Sequence, residues 1–275
     1  VTQTALAAQG FPAPRVLWFD ADARVEGHCF FVMPLLPGKP LIAGNSLRDI
    51  ASGMWTLLRR LPTMTASTQA ALHRLDPKPL LDELGGDVVG LERWFRQLDD
   101  KINGGATGFA DALRWLRGNV PASTTPLAVC HGDLWGGNIL AERRHVTGVI
   151  DWTVVTVADP LLDVGFTTMS LSLAPIAAPR AVQLAAARAG RVIAGRYLRA
   201  YSKAAGRPSI DRGVVRYYEA LRTAAELSNV AQYRMAEQRG DTHDLPRPTW
   251  DTIGVDMTEY FRARTGVRIT LPPAA

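Results

Sequence analysis

The chain has 275 residues, 47% of them hydrophobic and 21% charged, which is enough apolar material for a substantial core and too ordinary a composition for a disordered chain. The formal charge is +5 and the pI near 9.5, but no basic run or arginine-rich arm concentrates it, so no nucleic-acid partner is expected. Only two cysteines occur, Cys29 and Cys130, both in apolar runs; they give no disulfide framework and are expected to be buried structural thiols in a reducing, cytoplasmic setting. No apolar stretch reaches the ~18 residues of a membrane helix. The N-terminus lacks the basic-then-apolar pattern of a signal peptide.

In chain order, residues 1–9 read as a helix end closed by Gly10, and Pro12 and Pro14 then break the helix. RVLWF (15–19) and HCFFVM (28–33) predict two adjacent strands around a polar turn at 20–27. PLLPGKP (34–40) is too rich in proline for a helix or a central strand and reads as a linker. Ile50, Met54, Leu57, Leu58 and Leu61 then fall at helical spacing behind Asn45 and Ser46, which can cap the start. Further helices are predicted over 67–75, 82–98, 109–117, 160–173, 181–204, 210–236 and 250–264, with Asp159 and Pro160 as a favourable opening for the one at 160. Between 127 and 150 the pattern switches to short β runs, LAVC, NILA and VTGVI. The tail beyond Arg268 is expected to be loosely held. The fold class predicted is α+β: a small β-containing N-terminal piece with a hinge (1–38), then a large mainly helical lobe (39–275) that contains short β-hairpins.

The β runs carry the unusual residues. In VCHGDLWGGNILAERRHVTGVIDW, polar side chains stand at His131, Asp133 and Asn138, then at Asp151 where the next run ends. An antiparallel hairpin from Asn138 to Asp151 would bring those two to the same end. A hard divalent cation takes oxygen ligands, one or two from the protein and the rest from phosphates and water; Asn138 and Asp151 offer one neutral and one anionic oxygen. Asp133 can sit across the loop and accept a proton from an attacking hydroxyl. Phosphoryl transfer asks mainly for positioning and charge neutralisation, so few side chains suffice.

HGDLWGGN resembles the H-x-D-x-x-x-x-N catalytic loop of protein-kinase-like enzymes. With V-I-D-W after it, the form is similar to the aminoglycoside phosphotransferase and choline kinase superfamily, since Gly132 and Trp152-Thr153 stand where protein kinases carry Arg and Phe-Gly. DPLLDVG (159–165), FFVMPLLPG (30–38) and LHRLD (72–76) fall in the same order as in that superfamily. The resemblance implies a protein-kinase-like fold and an ATP- and Mg²⁺-dependent phosphotransferase (GTP being the alternative nucleotide) acting on a hydroxyl of a small molecule. It implies Asp133 as catalytic base with His131 in the catalytic loop as its ordering residue, Asn138 and Asp151 as Mg²⁺ ligands, and Asp163 as a brace. It also places Met33, Pro34, Leu36 and Ile150 beside the nucleotide. Trp152 and Asp159 are expected to be packing and capping residues, and His28, His73, His145 and His243 show no convincing partner pattern, so no zinc site is expected.

The resemblance further implies a glycine-rich loop and a strand lysine paired with a helix Glu. The first thirty residues hold no Gly-x-Gly and no lysine, and their one glutamate is Glu26. The expectation is therefore an N-terminally truncated member, less active than an upstream-extended chain, with a catalytically impaired nucleotide- or partner-binding module as the alternative. For the acceptor, polycations would need an acidic pocket. Glu219, Glu226, Glu237, Asp241, Asp244 and Asp256 are interleaved with Arg, and on the helix from Ile210 those charges are expected to form a solvated face.

Overall fold

The computed structural model describes residues 2–25, 27–42, 56, 59–122, 125–175, 178–242 and 246–274. The helix expected over Ile50 to Leu58, its caps Asn45 and Ser46, and His243 lie outside them, apart from the single helical residue Thr56. Chain order begins with helix α1 (Thr2–Ala8) and an antiparallel pair, β1 (Trp18–Val25) and β2 (His28–Val32). A short β3 (Lys39–Pro40) leads to helices α2 (Leu61–Leu72), α3 (Lys78–Leu84), α4 (Glu92–Asn103) and α5 (Ala110–Gly118). Strands β4 (Ala128–Cys130), β5 (Ile139–Glu142), β6 (His145–Val149) and β7 (Thr156–Ala158) follow, then helices α6 (Leu161–Leu173), α7 (Arg180–Ala204), α8 (Arg212–Gln238) and α9 (Gly254–Thr265). The chain is thus α+β with small antiparallel sheets, and the short strands sit inside the helical part as the sequence pattern predicts.

Helix α6 is the hub. Its sequence, LLDVGFTTMSLSL, is apolar or small on nearly every face, so it is buried all round instead of presenting one stripe. It packs between α7 and α8, and glycines set how closely the helices cross. A Cβ on Gly165 would run into Tyr218 of α8, and one on Gly190 of α7 would run into the Leu171 carbonyl of α6. Phe109, Phe166, Tyr197, Tyr201 and Phe261 are fully buried in this cluster. A second cluster joins Leu6 and Phe11 from the N-terminal segment to Leu61, Leu72, Leu134, Ile139, Val149 and Trp152. The N-terminal residues therefore support the strand region directly, and the Pro12 carbonyl accepts the Val149 N–H at 2.7 Å.

The linker is pinned. Lys39 and Pro40 pair with Ala141 and Leu140, and Gly38 at φ +97° lies where a Cβ would overlap Thr147 and Ala141. Three expectations need correction. The segment 20–27 continues β1 to Val25, with a turn at Gly27; Asp20 and Ala21 accept local bonds from Asp22 N–H and the Cys29 thiol without leaving the strand. The helix predicted over 82–98 is two helices: Gly85 and Gly90 adopt φ of +72° and +73°, which ends α3 and re-aims the chain before α4. The tail is docked, with Ile269 buried and the Pro272 carbonyl held by Arg234 at 2.9 Å. Strand β7, unread in the sequence, pairs with β4 in register Ala128↔Ala158 and Cys130↔Thr156.

The crossing geometry gives a paired test. Gly190→Ala forces a methyl into a backbone carbonyl and is expected to destabilise by about 1–3 kcal/mol. Gly195→Ala on the same helix meets only the Arg199 side chain at 3.9 Å and is expected to stabilise by up to about 1 kcal/mol. Melting curves of both variants check this; equal shifts would contradict the packing account.

Candidate active site

The site is built outward from Asp163, fully buried on the first turn of α6. Its carboxylate accepts the His131 N–H at 2.8 Å on Oδ2 and the Gly132 N–H at 2.7 Å on Oδ1, and His73 Nε2 lies 3.2 Å from Oδ2. Burial alone would raise this carboxyl. The His73 hydrogen bond and charge, together with the loop N–H groups, outweigh it and hold the group below its ordinary value. His73 is held in turn by the Tyr201 hydroxyl at 2.8 Å. His73 follows the buried Leu72 at the end of α2, which packs against α7.

Gly132 has φ +82°, and a Cβ there would collide with the Val154 carbonyl, so only glycine passes this point. His131 is fully buried. Its Nδ1 accepts the Asp133 N–H at 3.3 Å, which leaves the proton on Nε2 to donate to the Ile150 carbonyl at 3.0 Å. Burial lowers its pKa, and the ring is neutral. His131 has no open face toward a ligand and ties the 131–138 loop to the end of β6.

The hairpin forms as expected. Ile139 pairs with Val149, and the Ile150 N–H donates to the Asn138 carbonyl at 3.0 Å, so Asn138 and Asp151 fall at one end. Asn138 is buried, and its Nδ2 donates to the Asp133 carbonyl at 2.9 Å and to Asp133 Oδ2 at 3.3 Å. With the amide nitrogen so engaged, the side-chain oxygen is the atom left for a cation. Asp151 is exposed and takes φ +65°, a left-handed conformation rare for Asp, and the Thr153 hydroxyl donates to its Oδ1 at 2.8 Å. Trp152 is packing: its Nε1 donates to the Val149 carbonyl, and its ring meets Phe11 edge-on at 5.8 Å. Asp159 accepts the Leu161 N–H at 2.8 Å, as a helix opener should.

Of the residues expected beside a nucleotide, Met33 and Pro34 are exposed, while Leu36 is half-buried over Gly148 of β6. Both backbone groups of Ile150 are consumed by Asn138 and His131, which leaves only its half-buried side chain to face a ligand.

Asp133 opens into a cleft of about 650 Å³. Trp94, Trp135 and Phe166 line it together with Arg222 and Glu226 of α8. Burial raises the Asp133 carboxyl to about 7; Arg222 opposes that rise, while Glu226 and Asp151 add to it. Here the expectation of a solvated charged face on α8 is wrong. Glu219 and Arg222 are 4% and 2% exposed, and Arg222 pairs with Glu226 at 2.6 Å. These charges sit in YYEALRTAAEL, where their immediate chain neighbours are Tyr, Ala, Leu and Thr; that mostly apolar stretch was the signal missed. Cys29 is also corrected, being exposed on the two-stranded sheet, whereas Cys130 is buried.

His73, Cys130 and Asp163 bring potential ligand atoms within 4.8 Å of one another. Asp163 is committed to the loop N–H groups and His73 to Asp163 and Tyr201, and burial pushes the Cys130 thiol well up, so the trio acts as a packed brace. A test follows from the sign of the Asp163 shift. Because folding depresses this carboxyl, its contribution is present above the ordinary carboxylate range near ~3.9 and is lost as pH falls through the folded value. Asp163→Asn is expected to cost about 1.5–3 kcal/mol at pH 7 and much less in acid. Urea unfolding at both pH values checks it; an unchanged midpoint at pH 7 would remove the brace.

A family model described as the phosphotransferase enzyme family matches residues 2–201. Acyl-CoA dehydrogenase family member 11 of Gallus gallus is 29% identical over 173 residues, which are 60% of this chain and 22% of that protein. The chain thus spans about a fifth of the length of that curated relative. Among solved structures, a Ralstonia eutropha protein provisionally described as an aminoglycoside phosphotransferase superposes with TM-score 0.68 at 18% identity, covering 96% of this chain and 81% of that one. A thermostable mutant of aminoglycoside phosphotransferase APH(4)-Ia, in ternary complex with AMP-PNP and hygromycin B, gives 0.57 at 15% identity, covering 97% and 83%. With the loop, hairpin and brace in place and the family model matched over most of its length, the chain belongs to the phosphotransferase enzyme family, on the kinase-like fold that aminoglycoside phosphotransferases share.

Proposed function

We propose that the chain transfers the terminal phosphoryl group of ATP (or GTP) to a hydroxyl of a small molecule, with Asp133 as general base and Mg²⁺ held by Asn138 and Asp151. One observation carries this reading. Asp133 faces a substrate-sized cleft, while Asn138, hydrogen-bonded to it, stands at the hairpin end that Asp151 terminates. The donor set suits a hard cation: one amide oxygen whose orientation is set by its own N–H bonds, and one exposed carboxylate. Bound Mg²⁺ would neutralise charge on the transferring phosphate and lower the Asp133 carboxyl. The AMP-PNP complex of a structural relative supports a nucleotide here.

In this reading Asp133 takes the acceptor proton on Oδ1 or Oδ2 as the oxygen attacks. The Asn138 amide steadies the carboxylate without neutralising it, and His131 fixes the peptide that carries it. A base in this position contributes about 10²–10⁴-fold, or roughly 3–5 kcal/mol of barrier. Asp133→Asn is expected to lower turnover by that factor while nucleotide binding persists. Asp151→Ala should abolish the Mg²⁺ dependence of nucleotide affinity. Acceptor-stimulated release of ADP, with calorimetric nucleotide titration, measures both. Full turnover by Asp133→Asn would refute the base, and Mg²⁺-dependent binding with no transfer to any hydroxyl would make the fold a binding module.

A further inference from the structure

The cleft beside Asp133 is selective in a way its aromatic walls alone do not suggest. Resting on the phosphotransferase reading above, we propose that its acceptor is a non-cationic alcohol with an apolar body, and that Arg222 and Lys101 exclude cations from the site. Three features carry this.

The first is that two of the aromatic rings, Trp94 and Phe166, already carry a cation. An ammonium ligand gains its attraction from the π-face of Trp, Tyr or Phe. Here the Arg222 guanidinium lies 4.1 Å from the Trp94 ring centre and 4.8 Å from that of Phe166. The protein thus supplies its own cation to the two rings, and the side chain that does so is 3% exposed and fixed by Glu226. A ligand ammonium entering beside them would meet a like charge.

The second is the charge count. Among the described lining residues the charged groups are Asp133, Glu226, Arg222 and Lys101, two of each sign. Glu226 is spent on Arg222, and among the described residues Lys101 makes no ion pair and donates only to Gln232. The one carboxylate that remains is the base itself. A polycationic sugar needs several carboxylates in a desolvated pocket, because each uncompensated positive charge there is repelled by its neighbours.

The third is the rest of the wall. Trp135 and Trp250 present apolar area, Pro246 and Pro248 stiffen the rim, and Ser228 and Asn229 offer a few polar groups for orientation. That is the make-up of a pocket for a mostly apolar molecule held in one pose by sparse hydrogen bonds.

Trp94, Trp135 and Trp250 in the wall make tryptophan fluorescence of the intact chain a direct readout that needs no turnover. The probes are 4-phenylbutan-1-ol and phenyl β-D-glucoside as neutral alcohols, and choline and kanamycin as cations. Saturable quenching by at least one neutral alcohol is expected, with half-saturation by either cation at least about tenfold higher. The same ranking should hold in Asp133→Asn, so failure of the phosphotransfer reading and failure of this one are separate. Lys101→Glu, which alters a residue that among the described residues makes one side-chain bond, reverses a charge on the cleft wall and should narrow the gap by about tenfold, with circular dichroism checking the fold. Tighter or equal binding of choline or kanamycin overturns the proposal, as does the absence of saturation by both neutral alcohols. Phosphate transfer to kanamycin would uphold the reaction and overturn the acceptor class.

Discussion

A carboxylate taken fully out of water is costly unless every oxygen finds donors. Asp163 meets that condition by accepting the His131 and Gly132 N–H groups and the His73 ring, and most of the active-site geometry depends on it. Two consecutive amides can point at one carboxylate only if the chain turns sharply, which is why residue 132 is a glycine at φ +82° pressed against the Val154 carbonyl. Once that peptide is fixed, His131 is directed inward to the Ile150 carbonyl and Asp133 outward to the cleft. The loop thereby inherits the rigidity of α6, a helix buried on all sides by α7 and α8.

The second constraint lies at the hairpin. Asn138 precedes β5 and Asp151 follows β6, and their juxtaposition is set by the antiparallel register Ile139↔Val149 and by the Ile150-to-Asn138 backbone bond. A slip of one residue would turn each side chain to the other face. Phe11 against Trp152 and the Pro12 carbonyl on Val149 guard that register from the N-terminal side. Helix α8 then supplies the opposite wall with a buried Arg222–Glu226 pair. Such a pair adds little net stability; its value here lies in fixing the electrostatics around Asp133.

Much of this was legible in the sequence because the signals were local. The spacing from His131 to Asn138, the apolar runs on either side and the Asp at the end of the second run specify a loop and a hairpin without help from distant residues. Helices α6 to α9 declared themselves by length and apolar content. What stayed hidden was tertiary. Nothing near His73 announces Asp163, ninety residues away. Glu219, Arg222 and Glu226 read as solvated because charge usually is, and only the packing of α8 between α4 and α6 buries them. Strand β7 is three residues long and is stabilised by β4 and by a bridge to Val89, not by its own pattern. The docked tail depends on Arg234, which no local motif connects to Pro272.

We propose that the braced loop presents a base, Asp133, to the cleft, next to a cation site at the hairpin end formed by Asn138 and Asp151. A crystal structure of the chain with Mg²⁺ and a non-hydrolysable ATP analogue tests it most directly. The account predicts the cation between the Asn138 side-chain oxygen and the Asp151 carboxylate, with the terminal phosphate turned toward the opening beside Asp133. A nucleotide seated elsewhere, or a cation that touches neither residue, would contradict it.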